Sequence, residues 1–225
     1  MKFDLHSHTI HSSKTKWPFE SVIKPVDLVE TAIKSGLNGI AVTDHETLDG
    51  ALECLKIVKQ KKLDLVIVPG IEISSKDGHI LGLGIEEWIK NKKISAEETI
   101  DTIRDMGGIA IAAHPFVSNS LRKGIGRQID RLDFDGIEAL NYRTSKKTNK
   151  RALQVAKRLD VGITAGSDAH KLSDIGKVWT FSADEDIIQS ILKRKTKVFG
   201  EEMSRFQLYF YHLNKLLEVS KISSA

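Results

Sequence analysis

Short apolar runs rich in β-formers recur along the chain at residues 3–5, 40–43, 65–68, 109–113, 137–140, 161–165 and 178–181. Each is too short for a helix and is bounded by charged or turn-forming residues, so the pattern predicts seven strands. Between most of them, apolar residues fall at helical intervals. Ser95-Ala96-Glu97-Glu98 has the form of a capping box ahead of Ile100, Ile103 and Met106, and Gly107-Gly108 ends that helix. Pro25 suits the first turn of a helix over 26–33 that Gly36 closes, and Ser182 with Glu185 marks a start before Ile187, Ile188, Ile191 and Leu192. Segments 47–60 and 144–159 carry helical spacing too. Strand and helix therefore alternate almost throughout, the signature of a parallel sheet covered by helices. The exception is 71–85, where two apolar arms flank Lys76-Asp77-Gly78 and predict a hairpin.

Composition narrows the class. The chain has 225 residues, most economically one large domain at roughly 150 residues per domain. With 40% hydrophobic and 28% charged residues it is unlike a disordered, collagen-like or coiled-coil sequence. No stretch approaches the roughly 18 apolar residues that span a bilayer, and Met1-Lys2-Phe3-Asp4 opens no signal peptide, so the expectation is a cytoplasmic protein without a membrane partner. Cys54 is the single cysteine, which precludes an intramolecular disulfide and reads as a small buried hydrophobe. The net charge of +4 tolerates an anionic ligand but falls short of the clustered basic face of a dedicated nucleic-acid binder.

The placement of the histidines says more. His6, His8, His45, His79, His114 and His170 all lie at or close beyond the apolar runs. In parallel α/β sheets the carboxyl ends of the strands carry the chemistry. His6 and His8 are spaced i, i+2, so an extended backbone points both imidazoles the same way, and Asp168 and His170 repeat the spacing. Asp44-His45, Glu72 and His114-Pro115 occupy the ends of other strands. Neutral imidazoles and carboxylates gathered at one mouth would be penalised by desolvation and repulsion unless cations were present, and this donor set suits zinc, manganese or iron. There is no Gly-x-Ser-x-Gly elbow, P-loop or Cys/His pair to suggest a covalent or nucleotide-triphosphate mechanism.

These residues, in this order, resemble the PHP domain, named for polymerase and histidinol phosphatase. Asp4-Leu5-His6-Ser7-His8 looks like its first motif, Thr43-Asp44-His45 its second, Gly70-Ile71-Glu72 with Ala113-His114-Pro115 its third, and Gly166-Ser167-Asp168-Ala169-His170 its fourth. The resemblance implies a distorted, TIM-like (β/α)7 barrel over 1–200 with metals at the C-terminal ends of the strands; it does not reach 201–225, which reads from its own apolar spacing as a helical tail packed on the barrel. It places one divalent ion on His6, His8, Glu72 and Asp168, with Glu72 bridging to a second on His114 and His79. A third ion would take His45 and His170, but Ser13 stands where many members carry an aspartate. Two to three divalent ions are therefore expected. Clustered ions clamp a phosphoryl oxygen and activate a bound water, which favours hydrolysis of a phosphoric ester without a protein nucleophile. The implied substrate is a small phosphorylated metabolite or a nucleotide, with histidinol phosphate and nucleotide bisphosphates both open. The competing readings are a non-catalytic scaffold binding RNA or a polymerase, and metal-dependent C–N hydrolysis.

Asp4 and Asp44 are candidates for the carboxylates that accept the outer N–H of ligand imidazoles. Arg143 follows the fifth run, where it reads equally as a phosphate contact or a solvated charge at a helix start. Lys14 and Lys16 flank the loop before Trp17, whose ring reads as packed under that loop or as an aromatic plane beside the metals, and Arg122, Lys123 and Arg127 form a basic cluster near the mouth. In the tail, Phe206, Tyr209, Phe210, Leu213 and Leu217 make an apolar stripe that predicts docking on the barrel or a homo-oligomer contact, and His212 beside it reads as no ligand.

Overall fold

The computed structural model describes residues 1–14, 21–88, 94–118, 122–204, 206–211 and 213. In chain order the strands are β1 (Lys2–Asp4), β2 (Gly39–Val42), β3 (Val66–Ser74), β4 (His79–Leu83), β5 (Ile109–Ala112), β6 (Gly136–Asn141), β7 (Gly162–Gly166), β8 (Val178–Phe181) and β9 (Lys197–Gly200). The helices are α1 (Pro25–Lys34), α2 (Asp49–Lys61), α3 (Ala96–Asp105), α4 (Lys146–Leu159) and α5 (Ile187–Leu192).

All nine strands join one sheet in the order β7-β6-β5-β4-β3-β2-β1-β8-β9. β1, β2 and β3 run parallel, as do β5, β6 and β7, and β4 lies antiparallel between the two groups. Beyond Asp4 the chain reaches across to the far edge. Leu5 N–H donates to the Ala165 carbonyl at 3.1 Å, Asp168 N–H to that of His6 at 2.7 Å, and His8 N–H to that of Ala169 at 3.1 Å. The sheet thus curls into a nearly closed barrel, as the strand pattern and the resemblance led us to expect.

Strict alternation fails in four places. The third run and the first hairpin arm are one long strand, β3, and β9 had no sequence signal. β8 pairs antiparallel with β1 because the chain leaving the top of β7 turns straight back, with only a 3-10 turn (Leu172–Asp174) on the way. A parallel crossover would need a covering helix. Between β5 and β6 a 3-10 turn (Gly126–Arg131) likewise replaces a helix.

Most of the helix signals are realised. Ser95 Oγ accepts the Glu98 N–H at 3.2 Å while Glu98 Oε2 accepts the Ser95 N–H at 2.9 Å, a complete capping box. Pro25 opens α1 and Ser145 caps α4. At α5 the cap is Asp186, whose Oδ1 accepts the Gln189 N–H at 2.9 Å, instead of Ser182, whose hydroxyl turns to the Asp184 carbonyl and Ser190. Cys54 is fully buried in α2, and burial raises its thiol pKa.

Packing follows the two-residue period of the strands. Phe3, Leu5, Ala41, Val68, Leu81, Leu83, Ile109, Ile111 and Ala113 form one cluster, closed off by Ile187 and Ile191 of α5. Their neighbours Ile40, Val42 and Ile67 pack with α1 and α2, and Ile71, Ile73, Ile80 and Ala110 with α3 and α4. Apolar side chains fill the bottom of the barrel, which leaves the polar strand ends together at the top. Among the described residues no helix is long and apolar enough to cross a membrane.

Candidate metal centre

Glu72 is the hub of that polar end. It sits in β3 beyond the last pair with β2, where a bridge between His45 and Glu72 prolongs the parallel ladder. One carboxylate oxygen, Oε2, lies 3.2 Å from Nε2 of His6, 3.2 Å from Nε2 of His8 and 3.4 Å from Nε2 of His45. The other, Oε1, lies 2.7 Å from Nδ1 of His79 and 3.0 Å from Nε2 of His114. β4 is antiparallel, so its first residue, His79, reaches the end of the barrel at which β3 and β5 finish.

Asp168 and His170 enter from the segment after β7. Asp168 Oδ1 is 3.5 Å from His8 Nε2 and 3.9 Å from His6 Nε2, and the ring of His170 stands 4.5 Å from that of His8, centroid to centroid. Gly166 makes room for this crossing, since a Cβ there would come within 2.2 Å of the His6 Cβ. Asp168 and His114 both hold positive φ, at 53° and 29°, and strain of this kind tends to concentrate at functional positions.

All eight proposed ligand residues therefore converge. Four groups bring three donor atoms within 4.8 Å of one another: His6, His8 and Asp168; His6, Glu72 and His114; His45, Glu72 and His79; and His8, His45 and His170. The contact between Nε2 of His6 and Nε2 of His8, 3.1 Å apart with both residues wholly buried, tests the fit. At most one proton can lie between two such nitrogens, so at least one of them presents a lone pair to the site. Imidazole nitrogens and carboxylate oxygens in this arrangement suit a divalent transition metal.

The supporting contacts differ from those expected. Glu138, in β6, accepts from His6 Nδ1 at 2.9 Å with Oε1 and from the His114 N–H at 2.6 Å with Oε2. Nothing in the strand-end pattern points to it, although a glutamate inside an apolar strand run needs a buried partner. Asp4 touches no imidazole ring; its carboxylate accepts the backbone N–H groups of Ser167 at 2.8 Å, Gly176 at 3.1 Å and His6 at 3.4 Å, tying β1 to the loops after β7. Asp44 acts at one remove. It accepts from Ser12 Oγ at 2.8 Å, and that hydroxyl stands 3.1 Å from His8 Nδ1.

Arg143 is buried, with Nη1 at 2.8 Å from Asp168 Oδ1 and 2.6 Å from His170 Nδ1. Arg122 is buried as well, donating to Asp168 Oδ2, to Asn141 Oδ1 at 3.1 Å and to the Arg143 carbonyl at 3.0 Å. Both guanidiniums thus brace a carboxylate, and of the basic cluster only Lys123 and Arg127 face solvent. The side chains of Ser13 and Lys14, and the residues Lys16, Trp17 and His212, lie outside the described residues. Of the tail's apolar stripe, Phe206 is exposed at 72% and Tyr209 at 63%, and Leu217 lies outside the described residues. Tyr211 docks instead, donating to Asp174 Oδ2 at 2.8 Å with its ring under Lys171 and Arg143. Its position off the stripe hid it.

Electrostatics follow the geometry. Burial alone would raise Glu72 and Asp168, yet His45, His79 and His6 hold Glu72, and Arg122 and Arg143 hold Asp168, well below the usual carboxylate range. Burial would lower His6, but Glu138, Asp168 and Glu72 raise it well above its ordinary value. Burial and the Arg122 charge lower His114 to about 4. Burial lifts Asp4 to about 6.

A family model described as PHP-associated matches residues 146–196. The uncharacterized protein MJ1587 of Methanocaldococcus jannaschii is 41% identical over 146 residues, 63% of this chain and 82% of that protein. The 5'-3' exoribonuclease Rnm of Escherichia coli is 26% identical over 198 residues, covering 85% of this chain but only 54% of the enzyme. Among solved structures, a two-domain protein of Bacteroides vulgatus containing a predicted PHP-like metal-dependent phosphoesterase superposes with a TM-score of 0.71 at 16% identity over 89% of this chain and 65% of the other. The chain thus spans less than two thirds of the length of these last two proteins.

Proposed function

The chain belongs to the PHP family, and from that premise we propose that it is a metal-dependent hydrolase of phosphoric esters, acting on a small phosphorylated metabolite or a nucleotide. The observation that carries the reading is Glu72, with the nitrogens of three histidines around one carboxylate oxygen and of two around the other. His6, His8, Glu72 and Asp168 would hold one ion, Glu72, His79 and His114 a second, and His45 and His170 would complete a third. Zinc, manganese and iron all match this donor set. Divalent ions held there supply Lewis acidity toward a phosphoryl oxygen and make a water acidic enough to serve as nucleophile near neutral pH.

The chain's own residues prepare the site for this. Glu138 accepts the Nδ1 proton of His6, which leaves the Nε2 lone pair aimed at the cluster. Asp44 orients the Ser12 hydroxyl against His8 Nδ1 in the same sense. Arg122 and Arg143 fix the Asp168 carboxylate beside His6 and His8. Below the cluster the barrel is filled by buried apolar side chains, among them Phe3, Leu5, Leu81 and Ile111. The name of the Escherichia coli relative, an exoribonuclease, favours a nucleotide ester over histidinol phosphate.

The deciding experiment is metal analysis of the purified protein joined to hydrolysis of p-nitrophenyl phosphate and bis(p-nitrophenyl) phosphate with added Mn²⁺ or Zn²⁺. Two or three ions per chain with metal-dependent turnover is the expected result. Absence of both bound metal and turnover would overturn the reading in favour of a scaffold.

A further inference from the structure

A groove of about 310 Å³ lies beside the metal centre, lined by Pro115, Phe116, Lys123, Arg127 and Arg151 among others. Its place is fixed by the ligand loops. Pro115 directly follows His114, and the Lys123 carbonyl accepts the His79 N–H at 2.8 Å, so the wall of the groove is continuous with two residues of the cluster.

The lining has a definite chemistry. The guanidinium of Arg151 lies over the ring of Phe116 at 4.0 Å, a flat cationic and aromatic pair of the kind on which a nucleobase stacks. Arg127 and Lys123 add two further cations against the single carboxylate of Asp77; Asp77 Oδ2 accepts the Ala96 N–H at 2.8 Å, and Lys123 Nζ donates to the Lys76 carbonyl at 2.8 Å. Arg151 belongs to α4, whose sequence KKTNKRALQVAKRL holds six basic residues and no acidic one. Of these, Arg151 lines the groove, whereas Lys157 lines a separate pocket and Arg158 pairs with Asp130. Cations for phosphates beside a stacking surface are the elements of a single-stranded nucleic-acid site.

We propose that this groove binds a nucleotide of a single-stranded nucleic acid, the neighbour of the phosphodiester that lies at the metal centre. Phe116 and Arg151 supply the stacking surface, and Arg127 with Lys123 the phosphate contacts. The inference rests on the phosphoesterase reading for its second clause, but the binding itself needs no metal, and this separates the two.

The test is fluorescence anisotropy of a 5'-labelled single-stranded RNA heptamer in EDTA, with the full chain and with the double variant Arg127→Ala/Arg151→Ala. The variant is expected to bind at least tenfold more weakly, with a salt dependence shallower by about 1.4, roughly 0.7 for each phosphate that the missing cations no longer neutralise. Turnover of bis(p-nitrophenyl) phosphate with added metal, which is too small to fill the groove, stays at the parent level. A control double variant on α2, Lys56→Ala/Lys59→Ala, keeps the parent affinity. Equal affinity and slope for the parent and the groove variant would overturn the proposal, and so would a heptamer that binds no more tightly than AMP. Failure of turnover alone would count against the phosphoesterase reading and leave the groove standing.

Discussion

Glu138 holds two residues of the histidine cluster at once: Oε1 accepts from His6 Nδ1 at 2.9 Å and Oε2 accepts the backbone N–H of His114 at 2.6 Å. One carboxylate on β6 thereby sets both a side chain after β1 and the strained backbone after β5. Glu138→Gln puts an amide where one of the two acceptors is needed, so the expected outcome is a 10- to 100-fold loss of metal affinity or turnover, in the usual range for a residue that orients a ligand. Glu138→Ala also leaves the His114 N–H buried and unpaired, a further loss of about 1–3 kcal/mol. Metal titration with urea unfolding checks both; a Gln variant with parent metal affinity would show that His6 needs no such support.

How much of this centre could be read in the sequence depends on where each residue sits in its element. His6, His8, His45, His114, Asp168 and His170 stand at strand ends, where a polar residue breaks an apolar run and so stands out. Glu138 lies inside β6, and its partners come from the segments after β1 and β5, so no local pattern announces it. The same limit explains β9, which among the described residues pairs with β8 and whose mostly exposed residues carry no alternation. The antiparallel return of β8 depends on loop geometry after β7, which the strand pattern does not encode. Arg143 reads equally as a phosphate contact or a solvated charge, and Arg122 as part of a basic cluster, because only the fold brings Asp168 between them.

Metal removal should loosen the whole barrel top. The cluster joins segments from β1, β2, β3, β4, β5 and β7, and ions bound only by the folded state stabilise it through mass action. At a free metal concentration of 100 times Kd the gain is about 2.7 kcal/mol, which for a chain of this size corresponds to roughly 5–10 °C in Tm. Calorimetry of EDTA-treated protein is expected to show that drop and its recovery with Mn²⁺. A Tm indifferent to metal would mean that the cluster holds no ion with useful affinity.

The capping box of α3 gives a prediction away from the chemistry. Ser95→Ala removes the acceptor for the Glu98 N–H and is expected to lower stability by about 1 kcal/mol with turnover unchanged. Glu98 adds a pH signature. Its bonds from Ser95 hold the carboxyl below its ordinary value of 4.5, so the folded state binds its proton less readily than the unfolded chain does. The stabilisation it gives is present above pH 4.5 and fades as the pH falls through the lower folded value. Glu98→Gln is therefore expected to flatten the fall in Tm between about pH 5 and 3 relative to the parent; identical profiles would contradict this.

Asp168 carries two roles that a single substitution can separate. Its Oδ1 faces His6 and His8 as a ligand would, yet both of its oxygens also receive buried guanidiniums, Arg143 at 2.8 Å on Oδ1 and Arg122 on Oδ2. Asp168→Asn removes the counter-charge and turns an amide NH₂ toward one of two cations that have almost no solvent. Breaking a buried pair by deleting one partner typically costs about 3–5 kcal/mol, roughly a third or more of the whole stability of an ordinary domain. The loss must appear in metal-free protein, because the arginines need their partner whether or not an ion is bound. Urea unfolding in EDTA is the measurement, with His170→Gln as the comparison that touches the site while keeping the carboxylate. A marked drop for Asp168→Asn alone is expected. If the variant lost metal and turnover but unfolded like the parent in EDTA, Asp168 would be a ligand only, and the two arginines would have to be balanced by Glu138 and Glu72.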